Sequence, residues 1–145
     1  MVTTPSQPDN TVDDPSTYKG KIDANFAVHN QIAGAFAAYA TSTPSMTVVI
    51  DPGNLMSGND IFGDSQQITD TIIAPVSAPR NDIIVIDNVV AEISVVTGVE
   101  DISPSDPSLA VGQIPIARIR LNNSPATTVI TNFILDDLRP LIITP

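Results

Sequence analysis

Apolar positions along the chain follow two different periods. In the stretch that opens at Asp14-Pro15, the residues Ile22, Phe26, His29, Ala33, Phe36 and Ala40 step by 4, 3, 4, 3 and 4. That is the spacing of one face of an α-helix. Asp14 suits an N-cap, Pro15 suits the first helical position, and no proline interrupts residues 16–43. Seven alanines between positions 24 and 40 raise helix propensity, with Gly34 as a local weakness. The pattern predicts a long helix over residues 16–42. A second seam, Val28, Ile32, Ala35 and Tyr39, makes the apolar face wider than a two-stranded coiled coil requires. Such a helix would pack on its own domain and on copies of itself, with Ile22, Phe26, His29, Ala33, Phe36 and Ala40 forming the oligomer interface.

Beyond Thr41-Ser42-Thr43-Pro44-Ser45 the period shortens. Residues 46–50 form a β-rich run closed by the turn Asp51-Pro52-Gly53-Asn54, in which proline presets φ. Short strands are expected over 54–61, interrupted at Ser57-Gly58-Asn59-Asp60, and over 68–73, stopped by Pro75 and Pro79. The strongest hairpin signal pairs residues 82–87 with 92–98, two arms dense in Ile and Val around Asn88-Val89-Val90-Ala91. Residues 114–121 alternate, with Ile116, Arg118 and Arg120 on one face and Ala117, Ile119 and Leu121 on the other. Pro115 places that strand at an edge or start. A last strand is expected over 127–130. Strands at this spacing, joined by proline-containing turns, predict a compact antiparallel β-sandwich or barrel over residues 43–145. The fold class is therefore mainly β, preceded by one long N-terminal helix. Residues 1–15, rich in Thr, Pro and Asp, have little to bury and read as an extended arm that orders on a partner.

Composition narrows the function. Only 15% of residues are charged, with 16 acidic against 6 basic, for a formal net charge of -10. Six scattered cations make no footprint for a phosphate backbone, which argues against nucleic-acid binding. No apolar window is long enough to span a membrane, and the N-terminus lacks the basic start and apolar stretch of a signal peptide. The expectation is a soluble protein made in a cytoplasm, without membrane insertion. The absence of cysteine excludes disulfides, thiolate nucleophiles and Cys-ligated metals, and a single histidine excludes multi-His metal sites. No catalytic, cofactor-binding or metal-ligating set is expected.

The remaining candidates each have a plain structural reading beside a sharper one. His29 on the helical seam packs in or beside an interface; three copies converging on an axis would instead bind an anion or metal, or act as a pH switch. Asp51, Asp60, Asp64 and Asp70, with Asn54, Gly58 and Asn59, carry calcium-type chemistry, but their spacing is that of ordinary turns. Asp136-Asp137 would point to opposite faces of a strand, which favours an ion pair with Arg139 or a turn over a hydrolytic carboxylate pair.

Around Asp14-Pro15-Ser16-Thr17-Tyr18-Lys19-Gly20-Lys21-Ile22-Asp23-Ala24-Asn25-Phe26-Ala27-Val28 the sequence resembles the opening of a group of tailed-bacteriophage structural proteins described as tail-fibre or baseplate-associated. Four later blocks look like the successive parts of a small β-domain recurrent in such proteins. They are Arg80-Asn81-Asp82-Ile83-Ile84-Val85-Ile86-Asp87, Ile93-Ser94-Val95-Val96-Thr97-Gly98, Gly112-Gln113-Ile114-Pro115-Ile116-Ala117 and Ile134-Leu135-Asp136-Asp137-Leu138-Arg139. The resemblance spans about residues 14–140. It implies a virion component assembled in the host cytoplasm, homotrimeric, without catalysis, and docked on other virion proteins through its arm and helix. A capsid decoration protein using the same trimer logic, and a host-glycan-binding module, are the alternative expectations. The latter has few aromatic side chains to stack on sugars.

Overall fold

The computed structural model describes residues 35–57, 60–88, 90 and 92–139, with the side chains of 55–64 set aside. The chain divides between Ala35 and Phe36 into two units, and the architecture below is that of the second, Phe36–Pro145. Its described residues form nine strands: β1 (Ala38–Ala40), β2 (Val48–Ile50), β3 (Gly53–Ser57), β4 (Asp60–Asp64), β5 (Gln67–Ile68), β6 (Arg80–Asp87), β7 (Ile93–Val96), β8 (Gln113–Leu121) and β9 (Leu135–Asp137). They form a three-stranded sheet β1-β2-β5, a hairpin β3-β4 and a four-stranded sheet β7-β6-β8-β9. Every pairing is antiparallel.

The mainly β character matches the sequence reading, but the long N-terminal helix does not. Among the described residues the only helical turn is a 3-10 turn at Asn132–Ile134. Ala38–Ala40, expected as the last turn of the helix over 16–42, instead pairs with Ile50, Val49 and Val48. Phe36 has φ 56, a left-handed conformation that an α-helix cannot hold. Tertiary contacts override helix propensity here: the Phe36 ring is buried against Gly53, and the Tyr39 hydroxyl donates to Asp51 Oδ1 at 3.0 Å. Two of the expected interface positions are thus used inside this unit. Phe36 is in its core, and Ala40 lies in β1 with its N–H donating to Asn132 Oδ1 at 2.7 Å. Ile22, Phe26, His29 and Ala33 lie outside the described residues, as does the arm over 1–15.

The core is aliphatic. Val48, Val49 and Ile50 of β2 are all buried, as are Ile83, Ile84, Val85 and Ile86 of β6. Successive side chains on a strand point to opposite faces, so unbroken burial means that both faces of these central strands are covered. Burying each such side chain is worth about 1.5–3 kcal/mol. β6 is flanked on one side by β7, through the expected hairpin, and on the other by β8.

β8 is an inner strand and not an edge, and Pro115 lies third in it, near the start, the other position the sequence allowed. The register shifts between Ile84 and Val85, where Ala117 and then Pro115 are the partners, leaving Ile116 as the extra residue of a bulge. Asn88 N–H donates to the Gly112 carbonyl, so the even-numbered pairs below the bulge carry the ladder bonds. The Pro115 nitrogen consequently faces away from β6, beyond the end of β9, which pairs only with Ala117, Arg118 and Ile119. A proline needs no partner there. Past the bulge, Ala117, Ile119 and Leu121 are buried and Arg120 is exposed, the alternation read from the sequence.

Residues 127–130, expected as a strand, are irregular. Thr127 N–H bonds the Asn122 carbonyl, and Ile130, fully buried, donates to the Ser45 carbonyl at 2.8 Å.

A Cβ built on Gly53 would lie 2.6 Å from the Phe36 ring, whose backbone is already in the left-handed region. Gly53→Ala is expected to lower unfolding free energy by about 1–3 kcal/mol through overpacking, read as a lower urea midpoint with unchanged slope.

Candidate functional site

Arg80 and Asp82 are two residues apart on β6, so their side chains share one face. The guanidinium grips the carboxylate with two prongs, Nε to Oδ1 at 2.8 Å and NH2 to Oδ2 at 3.0 Å. Both side chains are buried, with relative exposures of 10% and 1%. Neither is occupied only by the other. Arg80 NH2 donates to the Ile73 carbonyl at 2.6 Å, and Asp82 Oδ1 accepts from Gly98 N–H at 2.9 Å. One ion pair therefore fixes β6, the segment before it and the end of the β7 arm. Gly98 must be glycine for this: a Cβ would sit 2.0 Å from the Asn81 carbonyl oxygen.

Glu100 extends the clasp. Its carboxylate accepts from the N–H groups of Val76 at 3.0 Å, Ser77 at 2.7 Å and Ala78 at 3.3 Å, and from the Ser77 hydroxyl. The Ser77 hydroxyl, then the backbone donors, stabilise the ionised form and pull its pKa down to about 2. Three consecutive N–H groups make an anion-binding concavity, and here the chain's own carboxylate fills it.

A second cluster holds the following loop. Arg118 bonds the Asp106 carboxylate through Nε at 2.7 Å and again through NH2. Asn81 Nδ2 donates to Asp106 Oδ1 at 3.1 Å and to the Pro104 carbonyl at 3.2 Å. The hydrogen bond from Arg118 lowers the pKa of Asp106. Asp136 lies 3.5 Å from Arg118 NH1 and 3.1 Å from Arg120 NH2. Asp137 pairs with Arg139 at 2.6 Å, and Arg139 lowers its pKa. The two neighbouring acids thus serve different arginines, and the ion pair expected with Arg139 is present.

The clasp borders a groove of about 630 Å³ between β7 and residues 67–73. Ile93 and Val95 line it together with Glu92 and Ser94, which point to the opposite face of the strand. A groove touched by both faces runs along the strand's outer edge. Ile68 and Ile73 stand on its far wall, 63% and 76% exposed. Arg80 and Asp82 also line it, but Asp82 has both oxygens engaged and is no free base. The chemistry on offer is recognition: apolar side chains, hydroxyls and a strand edge. Of the residues lining the groove the sequence flagged only Asp70, for calcium-type chemistry. The only available signal was a surplus of apolar residues in turn-rich segments.

Among the described residues no group of three or more His, Asp or Glu gathers that could hold a metal ion, and no helix is long and apolar enough to cross a membrane. Asp51 accepts the Tyr39 hydroxyl, whose pKa that bond raises. Gly58, Asn59 and the side chains of Asp60 and Asp64 lie outside the description.

A pKa lowered in the fold gives stability that is complete above the unfolded value and lost as pH falls through the folded value. For Glu100 the window runs from about 4.5 down to about 2. Glu100→Gln is expected to be less stable than the wild type at pH 7 and to show a shallower loss across that window in urea melts at stepped pH. Compared with family models and with curated proteins, the chain matches none.

Proposed function

We propose that this chain is a structural component of a tailed-bacteriophage particle, associated with the tail fibre or tail tip, which acts by assembling with copies of itself as a homotrimer and with other virion proteins. The observation that supports this reading is where the phage-like blocks fall. The four blocks coincide with β6, β7, the start of β8 and β9, the strands of one sheet. They contain the residues that hold that sheet to its loops: Arg80, Asp82, Gly98, Pro115, Asp136, Asp137 and Arg139. A resemblance carried by ion-pair partners and a bulge proline, in strand order, is a resemblance in how a domain is built.

The charge distribution agrees. All four arginines of the described residues lie within 4 Å of a carboxylate, so their charges are answered internally and the excess charge is acidic. Such a surface repels nucleic acid and favours protein contacts made through apolar patches. In this reading the protein is no enzyme, is assembled in the host cytoplasm and resides in the virion.

Light scattering on the purified chain is expected to give three times 15.3 kDa, and an antibody against it is expected to label the tail fraction of disrupted virions. A monomeric mass would contradict self-assembly. Label confined to heads would replace the tail placement with capsid decoration.

A further inference from the structure

We infer that the outer edge of β7 is a seat for a β-strand donated by a second copy of this chain, and that the donated strand is Leu141-Ile142-Ile143-Thr144. The inference deepens the proposed self-assembly and rests on it.

The seat follows from the ladder. Asp87 N–H donates to the Glu92 carbonyl, and the register pairs Val85 with Ser94 and Ile83 with Val96. Those are the hydrogen-bonded pairs, so Glu92, Ser94 and Val96 turn their backbone groups toward β6. Ile93 and Val95 turn theirs outward, where the sheet order ends. An edge strand with outward N–H and C=O groups is a template for another strand. This edge opens into the 630 Å³ groove, whose walls offer Ile68, Ile73, Ile93 and Val95 to an apolar occupant.

Chemistry and length identify that occupant. Leu141-Ile142-Ile143-Thr144 is three apolar residues and a threonine, three of the four β-branched and strand-forming in type, and carries no charge to oppose Asp70 and Glu92 on the groove rim. Pro140 and Pro145 bracket it and limit pairing to four residues, the length of β7.

Reach identifies the donor as another molecule. Arg139 is anchored on β9, its N–H and guanidinium both bonded to Asp137. Among the described residues β9 and β7 are the two outer strands of their sheet. From β9 to a position outside β7 is four strand spacings of about 4.8 Å, about 19 Å in all. Two residues beyond Arg139, Leu141 has a reach of about 7 Å, and even Thr144 has about 18 Å. A chain cannot lay this segment along its own β7, whereas a neighbour's segment meets no such limit. Donation of this kind is head-to-tail, and it closes into a ring when the rotation between copies is threefold.

The chain has no cysteine, so engineered thiols report contacts without background. Two single variants of the full chain, Val95→Cys and Ile142→Cys, are mixed and oxidised. The expected product is a covalent dimer absent from either variant alone and from a mixture of Ser105→Cys with Ile142→Cys. Independently, Val95→Pro removes an outward N–H and Ile142→Asp charges the donated strand. Each is expected to reduce the mass threefold while keeping the near-UV spectrum of the folded domain. A trimeric wild type whose mass neither variant changes, with no cross-link, would overturn the β7 seat and leave self-assembly standing. A monomeric wild type would overturn both.

Discussion

The buried pairing of Arg80 with Asp82 is the constraint on which the rest of the domain depends. Its energetic role is placement more than net stabilisation. Desolvating two charges offsets most of their attraction, so a buried ion pair roughly breaks even against apolar residues of the same size. The aliphatic strands around it, Val48 to Ile50 and Ile83 to Ile86, supply the driving force at about 1.5–3 kcal/mol for each side chain buried. Apolar burial is non-directional and does not say where a loop should lie. The ion pair does, because its surplus donor takes the Ile73 carbonyl and its surplus acceptor takes Gly98 N–H. Glu100 and Asp101 then fasten the next residues to Val76, Ser77, Ala78 and Pro79. The groove along β7 has fixed walls for this reason.

Much of the β-architecture was legible in the sequence. Dense runs of Ile and Val marked β6 and β7, and strict alternation marked β8 beyond its bulge. The helix over 16–42 was misread in its described part because periodicity is a local signal, whereas Phe36 and Ala38–Ala40 answer to distant partners: Gly53, β2 and Asn132. Alanine-rich composition favours a helix only when nothing better is available to the same residues. Pro115 illustrates the converse. A proline argues for an edge or a strand start; Pro115 lies near the start of an inner strand, where a bulge and a short β9 leave its nitrogen facing outward. Residues 127–130 look like a strand in composition, but Ile130 is there to fill the core.

The site was less legible still. Asp82 stood in plain view as the first residue of an expected strand and Arg80 just before it, with nothing local to show that they face one another in the interior. Nothing in the composition of residues 98–107 names a partner, and only the folded chain reveals five points of attachment, at Gly98, Glu100, Asp101, Pro104 and Asp106. Acidic side chains do most of that fastening. This explains why a chain with few charges keeps each arginine beside a carboxylate: the pairs position loops.

The central claim is that the Arg80–Asp82 pair matters for the backbone it positions, beyond the attraction between the two charges. The direct test is equilibrium urea unfolding of the double variant Arg80→Met/Asp82→Leu beside the single variant Asp82→Leu. The account predicts that the single loses about 3–5 kcal/mol and that the double recovers only part of it, because Gly98 N–H and the Ile73 carbonyl remain without their partners. A double variant as stable as the wild type would contradict it, and would reduce the pair to two charges that satisfy only each other.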